Sequence, residues 1–143
     1  LHDRLAVIGA QALVETVDLL EQGKAPREKQ DDALSCYAPM LDKKIAKLDF
    51  AQPATKLHDL IRGLSPWPVA HTTFEGKLLK VHRAVVAQAQ GDCGPAGKVL
   101  DSKKLIVACG SGALELQQVQ LEGGKRISGE DFMRGRKAQQ LGE

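Results

Sequence analysis

The chain has 143 residues, 43% of them hydrophobic and 27% charged, with a formal net charge of +2. This composition suits a globular protein with one modest core, or a small domain with an appendage. It excludes a membrane-spanning apolar run and falls well short of a strong nucleic-acid signature. The charge is uneven: near balance up to Ser65 and mildly basic beyond it. The opening "LHDRLA" lacks a methionine and lies already inside a periodic pattern, as expected for a piece of a longer protein. No charged-then-apolar leader opens the chain, so nothing here is expected to mark it for secretion. The three cysteines, Cys36, Cys93 and Cys109, are widely spaced and form no CxxC pair, which argues against a zinc site or a disulfide framework. A reducing, cytoplasmic setting is expected.

In chain order, "LHDRLAVIGAQALVETVDLLEQG" reads as an amphipathic helix. Leu1, Leu5, Ile8, Leu13, Val17 and Leu20 form its stripe and Gly23 its stop. Such a stripe needs a partner, either the rest of the chain or a second copy. His2 and Asp3 lie in the first turn, where an acid favours the helix dipole more readily than it does chemistry. The polar stretch from Lys24 to Met40, bracketed by Pro26 and Pro39, reads as a linker. Lys43, Lys44 and Lys47 follow near Asp42 and Asp49, as a solvated face in preference to an RNA contact. A second helix covers "AQPATKLHDLIRGL", with Pro53 in its first turn and Leu57, Leu60, Ile61 and Leu64 inward. His58 lies beside that stripe, without a second ligand at metal spacing.

After "SPWP" the period changes from helical to alternating. Thr72 and Phe74 lead into a turn at Glu75-Gly76, and a long strand carries Leu79, Val81, Ala84 and Val86. Three further strands follow in "GKVL", "LIVACG" and "ALELQQVQL", with a bulge expected at Gln117–Gln118. Five short strands with regular turns suggest a small closed barrel. Trp67, held between Pro66 and Pro68, is expected to plug one end of it. "SGEDFMRG" makes a short helix capped by Ser128 and ended by Gly135, and "RKAQQLGE" a frayed tail.

No GxGxxG, P-loop, HExxH or GxSxG is present, and "CGSGALEL" lies between strands, as a hairpin turn does. These patterns favour a binding or positioning module over a catalyst. Lys80 and Arg83 lie three apart on the long strand and face opposite sides if it is regular. Lys125 and Arg126 sit in the loop before the last helix, and Arg134, Arg136 and Lys137 cluster at the C-terminus. A chain that is 3% aromatic offers little for base stacking. What remains is phosphate binding by Lys and Arg, weighed against ordinary solubility charges.

The runs "IRGLSPWPVAHTTFEGKLLKVHRA", "GKVL" and "LIVACGSGALELQQVQLEGGKRISGEDFMRG" resemble the C-terminal domain of the methionyl-tRNA formyltransferase family. "YAPMLDKKIAKLDF" and the first helix are similar to that family's interdomain linker and last catalytic-domain helix. The resemblance implies an α+β fold: an amphipathic N-terminal helix and linker, then a helix and a small five-stranded OB-like β-barrel with a short C-terminal helix. It divides the chain into 1–24, the last helix of a Rossmann-like catalytic domain; 25–36, a linker; and 37–143, a tRNA-binding domain. It implies an enzyme that formylates methionyl initiator tRNA from formyltetrahydrofolate, with catalytic Asn, His and Asp upstream of Leu1. His2-Asp3 does not match them, so no catalytic residue and no metal ligand is expected here. The family's tRNA contact falls on Lys80, Arg83, Lys125 and Arg126, with Lys43 and Lys44 as outer candidates. Arg62, Pro66, Trp67 and Pro68 carry a structural motif. The alternatives are a structural barrel that touches no RNA, and the barrel of a folate-dependent formyltransferase acting on a non-RNA substrate.

Overall fold

The structure, a computed structural model, describes every residue except Ala89 and Glu143. It divides into two compact units, Leu1–Ala38 and Pro39–Glu143. In the first, α1 runs from His2 to Glu21 and none of its residues is buried. Gly23, at φ 68°, ends it. The Gly23 and Lys24 N–H groups donate back to Leu20 O and Leu19 O, a closure that needs the left-handed backbone glycine supplies. A single 3₁₀ turn, Asp32–Leu34, follows, with the Asp31 carboxylate accepting the Ala33 N–H.

The second unit contains α2 (Ala54–Gly63), β1 (His71–Phe74), β2 (Lys77–Gln88), β3 (Ile106–Ala108), β4 (Ala113–Leu121), β5 (Arg126–Ser128) and α3 (Gly129–Arg136). Its antiparallel sheet has the order β1-β2-β4-β3, with β5 also on β4. β2 occupies one edge of β4 throughout, while β3 and β5 share the other, at Ala113–Glu115 and Gln118–Gln120. The β1–β2 hairpin turns on Glu75 (φ 50°) and Gly76 (φ 73°), the two left-handed residues that a tight turn of matching twist requires. α2 buries Ala54, Leu57 and Ile61, α3 buries Phe132 and Met133, and all five join Leu79, Val81, Leu114, Leu116 and Val119 in one core. Phe74 meets Phe132 edge-on at 5.1 Å, which ties the hairpin to α3. Cys109 is the expected small buried hydrophobe, and burial pushes its thiol up to about 11.

Several expectations need correction. The five strands do not close into a barrel through a strand ladder. "GKVL" contributes only isolated bridges, Lys98↔Gln140 and Val99↔Val107, and the fifth strand is β5, where a loop was expected. Trp67 plugs nothing, being 56% exposed beside two cis X-Pro bonds. α3 runs one residue past Gly135, and Lys137 takes the left-handed cap at φ 43°. The tail is not frayed: Ala138 and Leu141 are buried. Its backbone spans the gap in the sheet, because the Leu141 N–H donates to Gly97 O (2.9 Å) and the Gly142 N–H to Thr73 O of β1 (2.9 Å). A short polar run offers no periodicity to betray such pairing.

"ACGSGAL" is a hairpin turn. Its Gly110 N–H donates to Phe50 O at 2.8 Å, and a Cβ there would strike Ala51 O. At Gly129 a Cβ would run into Leu116 O and the Leu105 side chain, whereas Gly63 at the end of α2 has nothing near it. Gly129→Ala is therefore expected to cost about 1–3 kcal/mol in urea unfolding. Gly63→Ala should raise stability by up to about 1 kcal/mol. Equal midpoints for the two variants would contradict this packing.

Candidate nucleic-acid interface

Register places one residue from each of five adjacent backbone segments in a single row. Lys47 bridges His71 of β1, His71 pairs with Lys80 of β2, Lys80 with Gln120 of β4, and Gln120 with Arg126 of β5. Directly opposed residues point to the same face of a sheet. Lys47, Lys80 and Arg126 are exposed, whereas the sequence neighbours Leu48, Leu79, Val81 and Val119 are buried, so this is the solvent face. Adjacent strands lie about 4.8 Å apart, so the row spans about 19 Å and its three permanent cations stand about 10 Å apart. Among the described residues none of these three has a carboxylate within the 4.0 Å of an ion pair.

A second row carries Arg83 opposite Gln118, which pairs with Ser128. Gln118 and Gln120 are two apart on β4, so both rows share the face. Lys80 and Arg83 thus lie on the same side, contrary to the regular-strand expectation. The cause is a pair of bulges. Val81 pairs with Val119, Arg83 with Gln118 and Ala84 with Leu116, which leaves His82 extra on β2 and Gln117 extra on β4. The break expected at Gln117–Gln118 is there, and its partner on β2 turns Arg83 outward.

His82 is partly buried beneath these cations, and its Nε2 donates to Gln120 Oε1 at 3.1 Å. Gln120 Nε2 donates in turn to Gly124 O at 3.0 Å, which fixes the amide and with it the imidazole tautomer. Burial holds the His82 pKa below its ordinary value; the Gln120 bond opposes this, and Arg126 and Lys80 add to it. Two hollows open on either side of Arg83. One, of about 270 Å³, is lined by Arg83, Gln118, Arg126 and Ser128. The other, of about 390 Å³, lies between α2 and β2 and is lined by His58, Arg62, His82 and Arg83 with apolar neighbours.

Of the sequence-predicted residues, Lys80, Arg83 and Arg126 come together, Arg126 from a strand and not a loop. Lys125 is exposed in the turn beside Arg126. Lys43 and Lys44 lie in the 3₁₀ turn before Lys47, outside the row, with the Asp42 carboxylate accepting the Lys44 N–H. Arg62 pairs with Asp59 at 3.2 Å and lines the larger hollow with Ser65, while the rest of its motif, Pro66, Trp67 and Pro68, forms the turn into β1. Arg134 is paired with Asp131, and Arg136 lies over the Phe132 ring. His2 and Asp3 contact each other in full exposure. As site residues, His71, His82, Gln118 and Gln120 escaped sequence reasoning, whereas Lys47 reads there as a solvated face in preference to an RNA contact. For Lys47 a signal existed: Ala46, Leu48 and Phe50 are buried in strict alternation with it, a period-2 pattern that marks an extended segment.

The family model for the formyl transferase C-terminal domain matches residues 40–137. The chain belongs to this family. Methionyl-tRNA formyltransferases of Geobacter metallireducens and Stutzerimonas stutzeri are 47% and 45% identical to it, over 94% and 97% of this chain. That of Solibacter usitatus is 46% identical over 98%. The chain spans less than half the length of these relatives, 43%, 44% and 46%. Its sequence contains no asparagine. Among the described residues no cluster of His, Cys, Asp or Glu is placed to hold a metal ion. Among the described residues no helix is long and apolar enough to cross a membrane. The chemistry this face supports is anion binding by unpaired cations.

In an NMR titration His82 should lose its proton below the ordinary value of about 6.5, and Lys80→Gln should raise its midpoint. The depressed value means the stability linked to His82 is present above about pH 6.5 and is lost as pH falls through the folded value. A midpoint at or above that of an exposed histidine would contradict the burial and charge around it.

Proposed function

We propose that this chain is the tRNA-holding C-terminal part of a methionyl-tRNA formyltransferase. In that reading the complete enzyme moves a formyl group from formyltetrahydrofolate to the amino group of methionyl initiator tRNA, in the cytoplasm. Catalysis belongs to a Rossmann-like domain outside this chain; residues 1–24 are that domain's last helix, 25–36 a linker and 37–143 the tRNA-binding domain. In the same reading the site for the formyl donor belongs to the Rossmann-like domain.

One observation carries the reading: a face of unpaired cations at register-fixed spacing, separated by His71 and Gln120, in a chain of this family. Such a face meets phosphates and does not read bases, so it orients the acceptor arm and leaves selection of the initiator to other contacts. Lys80, Arg83 and Arg126 are the central contacts, Lys47 and Lys125 flank them, and Lys43 and Lys44 are peripheral.

The test is tRNA binding by this chain across a salt series. Affinity should fall steeply with salt and be similar for initiator and elongator tRNAs. Lys80→Ala and Arg126→Ala should each weaken binding and lower the magnitude of the salt slope by about 1. Their urea midpoints should stay within about 0.5 kcal/mol of the parent, as for exposed side chains. No binding at low salt would leave the domain as a brace for its catalytic partner.

A further inference from the structure

The hollow between α2 and β2 concentrates nitrogen-bearing side chains from two elements. Its polar lining is His58, Arg62, Ser65, His82 and Arg83, and it contains no carboxylate. Arg62 is exposed and spends one guanidinium nitrogen on Asp59 at 3.2 Å, which leaves other donors of its planar fork unspent. His58 Nδ1 lies 3.2 Å from the same carboxylate, so Asp59 orients both groups from the rim. On the opposite wall, the β2 bulge puts His82 and Arg83 side by side. β2 regains its register with β4 at Ala84 and keeps it to Val86, so the paired slips change what points where at these two residues and leave the core positions that follow in place. Bulges next to functional sites are known to re-aim side chains in this way.

We propose that this hollow is a phosphate subsite in which Arg62 and Arg83 grip the anion and His82 joins them when protonated. Its occupant is a backbone phosphate of the bound RNA, so the physiological ligand rests on the tRNA-holding reading, whereas phosphate affinity itself does not. The fixed tautomer matters. With Nε2–H committed to Gln120, neutral His82 leaves Nδ1 as an acceptor, and protonation converts it to a second donor. The groups around His82 are Lys80 and Arg83 on its own strand, the uncharged Gln118 and Gln120 on β4, Arg126 on β5, and His58, Arg62 and Asp59 on α2. Burial first, and the cations Arg126 and Lys80 after it, disfavour the proton. An anion in the hollow reverses that field and binds together with a proton.

Two measurements in parallel test this. In the first, inorganic phosphate is titrated into the 143-residue chain while the His82 ring is followed by NMR. Phosphate should raise the His82 midpoint, and Arg83→Gln or Arg62→Gln should abolish the rise; both replace exposed side chains, so the fold is kept. In the second, tRNA affinity is measured between about pH 5 and pH 8, the range in which histidine changes charge. Affinity should rise as pH falls, about tenfold for each pKa unit by which the anion raises His82. His82→Gln should flatten that dependence without abolishing binding. If phosphate leaves the His82 midpoint unmoved and His82→Gln keeps the parent's pH slope, the subsite is overturned while RNA holding stands. A phosphate-driven rise with an unaltered RNA slope overturns the RNA occupant and leaves a free-phosphate site. A phosphate-driven rise with no tRNA binding at any pH supports the subsite and removes the tRNA-holding reading.

Discussion

The pairing of β2 with β4 is the constraint on which the rest of the domain depends. β2 carries the hairpin with β1 on one edge and β4 on the other, and β4 holds both β3 and β5. Each inward residue of this ladder, Leu79, Val81, Ala84, Leu114, Leu116 and Val119, is a core residue. A one-residue slip on either strand alone would turn every later side chain to the wrong face. The two strands slip together, at His82 and Gln117, and the register recovers at Ala84↔Leu116. The ladder thereby tolerates an irregularity in its middle, and the outer face gains Arg83 beside Lys80 without loss of a core position.

Closure of the sheet depends on backbone bonding by segments that are not strands. Residues 97–100 run beside β3, with the Ala108 N–H donating to Lys98 O and the Leu100 N–H to Ile106 O. The tail then joins them to β1 through Leu141 and Gly142. Close approach is what these joints require, and a Cβ at Gly97 would strike Leu141 O. On the same free edge of β1 the Leu48 N–H donates to His71 O, which brings Lys47 into the basic row. Closing the fold and completing the cationic face are thus one set of bonds at β1. The family match ends at residue 137, yet the buried Leu141 and the bonds of Gly142 belong to the same domain.

Long periodic elements were legible in the sequence, and short or irregular ones were not. α1, α2 and β2 announce themselves through stripes or alternation many residues long. The Glu75-Gly76 turn is legible because its two left-handed residues demand a particular chemistry. β5 is three residues long and the tail contributes isolated bonds, too little for a period to show. Trp67 misleads for a related reason: a lone large apolar residue between prolines suggests a plug, but rigidity at a turn does not decide which way the ring points. The basic face was half legible. Lys80 and Arg126 could be nominated by charge, but their alignment through Gln120 is a matter of register, and Arg83 joins them only through a bulge whose exact position periodicity cannot assign.

Allocation of charge separates this face from ordinary solubility charges. The chain is nearly neutral, so its acids could have been interleaved with its bases. Instead the aspartates are used at turns: Asp31, Asp42, Asp49, Asp92 and Asp101 each accept backbone N–H groups two or three residues on. The Lys104 and Lys103 N–H groups hold the Asp101 carboxyl below its usual range. Committed to turns, these carboxylates stay clear of the row, and His71 and Gln120 occupy the positions between its cations. These spacers keep the permanent like charges about 10 Å apart across the strands, near one Debye length at about 0.1 M salt, where their mutual repulsion is modest. Three cations held apart and unpaired on a rigid sheet cost the free domain little, and they are pre-placed for a polyanion that can span them all.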